Sequence, residues 1–200
     1  MSTVGIKSVA KFRNDVTLLT AENEAAEAIN WVFSASSHDE TRMVLCGTVS
    51  VRTYMNRLCV AATDGRRAHV AVLKDCEGSV EGTYKIIQNS KRKVVAVLDP
   101  ECLYPVWEQA INIDGDIPAR VFSVPRAGGK EYKIMPFRLF CEVHAIACAT
   151  VNPEHLLAIA AGFAGKSMHM RQESNIGILG ITDTADRNEF NRLAVLMPTR

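Results

Sequence analysis

The chain's first clear pattern is a short apolar run, Val16-Thr17-Leu18-Leu19, which predicts a strand. Thr20 then suits an N-cap, and the Ala- and Glu-rich stretch Ala21 to Phe33 predicts a helix with Ala25, Ala28, Ile29 and Val32 on one face. Ser34 to Thr41 is small and polar and predicts a loop. Three strands follow: Met43 to Tyr54, Arg57 to Thr63 after a turn at Met55-Asn56, and Arg66 to Leu73. Asp64-Gly65 predicts a type I′ hairpin turn, because glycine adopts positive φ freely. The tail repeats this order. Phe140 to Thr150 alternates as a strand, with Cys141, Val143, Ala145 and Ala147 on one side. Asn152 caps a helix with Pro153 in its first position, Leu156, Ile159, Ala160 and Phe163 form its apolar face, and Gly165 ends it. Strands are predicted at Ser167–Glu173, Ile176–Thr182 and Arg192–Pro198.

Between the two series lies a third of the chain rich in proline: Pro100, Pro105, Pro118, Pro125 and Pro136. Tyr84 to Gln88 and Val94 to Leu98 predict strands on either side of the basic run Lys91-Arg92-Lys93, and Ala127-Gly128-Gly129-Lys130 predicts a turn. The expected fold is α+β. Two strand–helix–three-strand halves with antiparallel sheets, residues 1–74 and 140–200, flank an insertion or linker layer over 75–139.

Composition narrows the class. Hydrophobic residues make up 48% of the 200 and charged residues 22%, which supports a packed core and excludes disorder and a coiled coil. Twenty-three Lys and Arg against 22 Asp and Glu leave a net charge of +1, so nucleic acid could be held only by local patches or across an assembly. No window reaches the ~18 apolar residues of a membrane span, and Met1 to Asn14 has no signal-peptide core. A cytoplasmic protein without membrane partners is expected. Cys46, Cys59, Cys141 and Cys148 lie in apolar or alternating runs and predict reduced core thiols. No histidine stands at zinc-ligand spacing from a cysteine, and neither a metal nor a cofactor is expected.

Candidate chemistry is sparse. Ala160-x-x-x-x-Gly165-Lys166-Ser167 fits the permissive phosphate-loop pattern, and Ile178 to Asp183 could pass for an apolar strand ending in a metal-binding carboxylate. A phosphate loop needs a strand before it and a helix after it, and the predicted order here is the reverse. There is no Gly-x-Ser-x-Gly elbow, and Asp64 reads as a turn former. Lys91, Arg92 and Lys93 could contact phosphates, while Trp31 and Trp107 read as packing anchors. No enzyme is expected, although a nucleotide-binding enzyme using Gly165-Lys166-Ser167 remains the alternative of that class.

Arg42-Met43-Val44-Leu45-Cys46-Gly47, followed by Ala61-Ala62-Thr63-Asp64-Gly65-Arg66-Arg67-Ala68, resembles the middle domain of the bacterial sliding clamp family, the beta subunit of DNA polymerase III. There a strand, a helix, an Arg-x-x-Leu-x-Gly strand and an Ala-Thr-Asp-Gly-x-Arg-Leu hairpin occur in this order. Val195-Leu196-Met197-Pro198-Thr199-Arg200 resembles that family's C-terminal Val-Val-Met-Pro-Met-Arg-Leu, and Val151 to Gly165 resembles the helix of its last domain. Leu103-Tyr104-Pro105-Val106-Trp107 is similar to the Phe-Pro-x-Tyr segment joining those two domains.

The resemblance implies a non-enzymatic processivity or accessory protein of DNA replication or repair. It also implies a pocket for peptides of DNA polymerase or clamp-loader type. Carried over, that pocket is Arg42, Leu45, Thr63, Gly65, Arg66, Arg67 and Ala68 on one side, with Val195, Leu196, Met197, Pro198 and Arg200 on the other. Apolar anchors beside Arg donors suit a peptide with hydrophobic side chains and polar ends. Ala68 stands where the family has Leu and would widen the pocket.

Clamp chains of the family carry three domains, and two chains close a ring around double-stranded DNA. This chain matches half of a middle domain and half of a last one, so a ring of such composite domains would take a homo-oligomer of about six copies. The family's helices turn basic residues toward DNA, whereas here the first carries Glu22, Glu24 and Glu27 and the second offers mainly Lys166. Like charges facing DNA weaken binding. The alternative is therefore a clamp-fold structural or assembly protein, encoded by a mobile element, that has lost DNA encirclement.

Overall fold

The structure is a computed structural model and describes residues 6–11, 17–73, 81–111, 120–128, 130–146, 151–172, 178–186 and 189–198. Its contacts divide the chain into two compact units. The first is Met1–Gly65 with His69–Trp107, and the second is Arg66–Ala68 with Glu108–Arg200.

The first unit is built on β1 (Ile6–Lys11), β2 (Thr17–Glu22), α1 (Glu24–Phe33), β3 (Thr48–Tyr54), β4 (Arg57–Thr63), β5 (Arg67–Val72, of which His69 onward belongs to this unit), β6 (Gly82–Ser90) and β7 (Lys93–Leu98). The strand order is β1-β2-β7-β6-β3-β4-β5. β7 pairs antiparallel with β2, Leu18 opposite Val97, and with β6, Tyr84 opposite Leu98. The expected insertion over 75–139 is thus not a separate layer. Residues 82–98 complete the first sheet, and the composite of two half-domains gives way to two units divided after Trp107.

Helix α1 begins later than expected. β2 runs through Thr20 to Glu22, and the N-cap is Asn23 at φ 54°, whose side chain makes no capping bond. The helix buries Ala25, Ala26, Ile29 and Val32 and packs on β2, β4 and β7, while Ala28 is only half-buried. Burial of Ile29 and of Val32 stabilises by about 1.5–3 kcal/mol each, and of each alanine methyl by less. Trp31 stacks on the buried ring of His69 with centroids 4.5 Å apart, and the His69 Nδ1 lies 2.9 Å from the Trp31 carbonyl.

Residues 42–47 form turns rather than the start of a strand. The Leu45 N–H donates to the Arg42 carbonyl at 2.8 Å, Gly47 sits at φ 70°, and β3 starts at Thr48. The two-residue turn with positive φ at both positions is Met55-Asn56 (φ 49° and 57°), not Asp64-Gly65. In the latter only Gly65 is left-handed, at φ 84°, within a longer connection, Asp64 to Arg66.

The second unit holds α2 (Glu108–Ile111), β8 (Arg120–Ser123), α3 (Lys130–Ile146), α4 (Pro153–Ala161), β9 (Ser167–Gln172), β10 (Leu179–Thr182) and β11 (Arg192–Leu196), with strand order β8-β9-β10-β11. The strand expected over Phe140–Thr150 is the end of α3 as far as Ile146; residues 147–150 lie outside the described residues. Met135, Leu139 and Val143 are buried at helical four-residue spacing, and that periodicity prevails over the shorter alternation around Cys141. Cys141 is consequently exposed rather than a core thiol, whereas Cys59 is buried.

Asn152 caps α4 as expected, its Oδ1 accepting from the Glu154 N–H at 2.9 Å. The helix stops at Gly162, three residues before the expected end, and the Arg192 Nη1 donates to the Gly162 carbonyl. Gly165 instead sits at φ 75° in the turn that leads into β9.

Candidate functional site

The site residues expected from the sequence fall into one cluster in each unit. In the first, Arg42, Leu45, Thr63 and Gly65 are gathered by backbone bonds. The Arg42 Nη1 donates to the Asp64 carbonyl at 2.5 Å, and the Thr63 hydroxyl accepts from the Gly65 N–H at 3.0 Å. The Thr63 N–H donates to the Tyr104 hydroxyl at 2.9 Å, and burial holds that phenol well above its ordinary range, so it stays neutral. A Cβ at Gly65 would stand 2.9 Å from the Arg42 Nη1, and φ 84° already strains any L side chain. The turn thus needs its glycine.

Arg42 is exposed and its Nε lies 3.9 Å from the Asp39 carboxylate. The Thr41 hydroxyl donates to Asp39 at 2.6 Å and holds that carboxyl below its usual range, with a smaller contribution from Arg42. Leu45 is half-buried in the same stretch of turns.

In the second unit, the Met197 N–H donates to the Arg66 carbonyl at 2.8 Å, which brings the Arg66–Ala68 segment and the end of β11 together. Alternation along β11 separates the expected residues. Val195 faces one way and Leu196 the other, opposite Leu179, where it is completely buried. Leu196 is therefore a core residue and leaves the set. Met197 is 40% exposed, Pro198 half-buried and Ala68 buried. Arg200 lies outside the described residues.

The Val195 face opens onto a shallow cleft that is open to solvent. Its floor follows from the strand register. One row across the sheet runs Arg171, Gly180, Val195, and the next runs His169, Thr182, Leu193. Gly180 leaves a notch between Arg171 and Val195, and Ile111 of α2 closes one side. The Arg171 Nη2 donates to the Ala185 carbonyl at 2.5 Å, which fixes the guanidinium at the wall. Sequence reasoning missed Ile111, His169, Arg171, Gly180, Thr182 and Leu193. The signals were present, since His169 and Arg171 alternate with the buried Met168 and Met170, and a glycine inside a strand marks a close approach.

The basic residues are divided between the two units. Lys91, Arg92 and Lys93 are exposed at the β6–β7 hairpin, and Lys166 belongs to the other unit, where its carbonyl accepts from the Val124 N–H at 2.9 Å. The hairpin is tied to α1: the Asn23 N–H donates to the Arg92 carbonyl at 3.0 Å and the Asn30 Nδ2 to the Ser90 carbonyl at 2.7 Å. Because the first turn of α1 carries Glu24 and Glu27, the basic turn sits on an acidic helix.

The Gly165-Lys166-Ser167 stretch has α4 before it and β9 after it, the reverse of a phosphate loop. The Asp183 carboxylate accepts from the Asn191 and Arg192 N–H groups at 2.8 and 3.1 Å and braces the β10–β11 connection. Trp107 is buried and its Nε1 donates to the Ser50 hydroxyl at 3.3 Å, a packing role, as Trp31 also has. No helix among the described residues is long and apolar enough to cross a membrane.

No family model matches the sequence, and no curated protein does. Solved structures do. The chain is similar to the DNA polymerase III beta subunit of Caulobacter crescentus at 15% identity and TM-score 0.63, over 96% of this chain and 68% of that one. It is similar to the beta subunit of Borrelia burgdorferi, solved in complex with a natural product, at 12% identity and TM-score 0.62, over 96% and 67% of the two chains. The Streptococcus pyogenes beta subunit matches at 13% identity and TM-score 0.61, over 100% and 68%. Identities this low establish architecture, and on that ground the chain has the fold of the bacterial beta sliding clamp, spanning about two thirds of its length.

Proposed function

We propose that the chain is a non-enzymatic, clamp-like accessory protein of DNA replication or repair, acting in the cytoplasm, that captures short peptides of DNA polymerase or clamp-loader type partners. The observation that carries this reading is the face of β11. Val195 floors an apolar cleft, and Met197, just past the end of the strand, is exposed. Arg66 and Arg67 belong to the same unit, and Thr63 and Gly65 adjoin them in the chain. Flexible methionine and aliphatic groups beside Arg donors take hydrophobic peptide side chains and their polar ends.

Met197→Ala and Arg67→Ala are each expected to weaken a fluorescently labelled clamp-binding peptide about five- to tenfold in anisotropy titrations. Unchanged affinity in both variants would remove the pocket.

Two compact units per chain change the expected assembly. A six-unit ring then takes three copies of the 22.0 kDa chain rather than six. Light scattering at two concentrations and low salt is expected to give the mass of three chains, and a monomer or dimer would exclude ring closure under those conditions. The second reading, a clamp-fold assembly protein that has lost DNA encirclement, is favoured by the acidic first turns of α1 (Glu24, Glu27) and α4 (Glu154) and by the basic hairpin being tied to α1.

A further inference from the structure

We propose that the cleft on the second unit selects acidic peptides, with a peptide carboxylate held by Arg171 and His169 while a neighbouring apolar side chain enters the notch at Gly180. The inference rests on the peptide-capture reading above and specifies which peptides are taken. Three observations carry it.

The first is the pairing of rows. Arg171 stands beside the empty position of Gly180 and His169 beside Thr182, so two basic side chains flank one apolar floor on consecutive rows. The second is that Arg171 is positioned and its charge is unmatched. It spends one nitrogen on the neutral Ala185 carbonyl and forms no ion pair with any described residue. A guanidinium fixed by one bond keeps its other donors aimed, which suits a planar carboxylate. The third is that, among the described residues, no Asp or Glu lines the cleft. The nearby Asp183 carboxylate is occupied by the Asn191 and Arg192 N–H groups. Val121, opposite His169 on β8 and 59% exposed, extends the apolar rim on the same face. A ligand matching this surface alternates apolar and acidic side chains, as an extended peptide can.

The test uses the full chain and a random heptapeptide library displayed on phage, followed by synthesis of one selected peptide and its amide counterpart (Asp→Asn or Glu→Gln). The selected peptides are expected to share an apolar and an acidic position, and the amide form to bind about tenfold more weakly or worse. Arg171→Gln, which removes the charge and the guanidinium fork, is expected to abolish this discrimination by weakening the acid peptide down to the level of its amide counterpart, and Arg171→Lys to restore it in part. Selected peptides that compete at the cleft but bind equally well as acid and amide would overturn the acidic preference and leave peptide capture standing. Selection of no peptide, or of peptides indifferent to both Met197→Ala and Arg171→Gln, would overturn the capture reading and this inference with it.

Discussion

Gly180→Val is expected to abolish peptide capture while leaving the second unit folded. Gly180 lies in β10 between Arg171 and Val195, and its missing side chain makes the notch. It is not among the glycines at positive φ, so a β-branched residue fits its backbone and suits a strand. The substitution fills the notch with two methyl groups and leaves every charged side chain in place. Affinity for a selected peptide should fall more than about tenfold, the scale of excluding one anchoring side chain. Thermal unfolding should be unchanged or raised by the equivalent of up to about 1 kcal/mol. Full binding by a well-folded Gly180→Val protein would show that no peptide side chain enters there.

Trp107→Ala is expected to cost about 3–5 kcal/mol, a large share of a typical total of 5–15 kcal/mol. The indole is 2% exposed, lies tilted against Tyr54 with centroids 5.7 Å apart, and donates to a Ser50 hydroxyl that is itself completely buried. Truncation leaves a cavity and also an unpaired hydroxyl inside the sheet. Trp107→Phe keeps most of the ring and should cost only about 1–2 kcal/mol, largely from the lost bond. Urea unfolding of the three proteins reads both numbers. Equal stability of Trp107→Ala and the parent would mean that residues 99–107 do not close the first unit.

The halves of the chain were unequally legible. β4, β6, β7, β9 and β11 follow period-2 or apolar runs bounded by turn residues, and the sequence reading placed them within a few residues. It failed where two periods overlap. In α3 the alternation through Cys141 and Val143 coexists with the four-residue spacing of Met135, Leu139 and Val143, and Pro136 argued further against a helix. It failed again where pairing is remote, because nothing local in Val94–Leu98 shows that this strand joins β2. Of the residues proposed for peptide capture, Thr63, Gly65, Arg66 and Arg67 were singled out by turn chemistry and family likeness alone. His169 and Arg171 were not, since they become neighbours of Val195 only through the register of β9, β10 and β11.

The position of β7 has a consequence for how the chain is made. β2 reaches the rest of its sheet only through a strand that leaves the ribosome nearly eighty residues later, as Leu18 must wait for Val97. Synthesis runs at about 5–20 residues per second, so the edge of β2 that takes β7 stays open for several seconds. The loop that must close is long, which slows pairing more than it weakens it. Such an edge invites wrong partners while it stays open. Slower translation through residues 23–92 lengthens that exposure, a hazard that the finished stability of the sheet does not reveal.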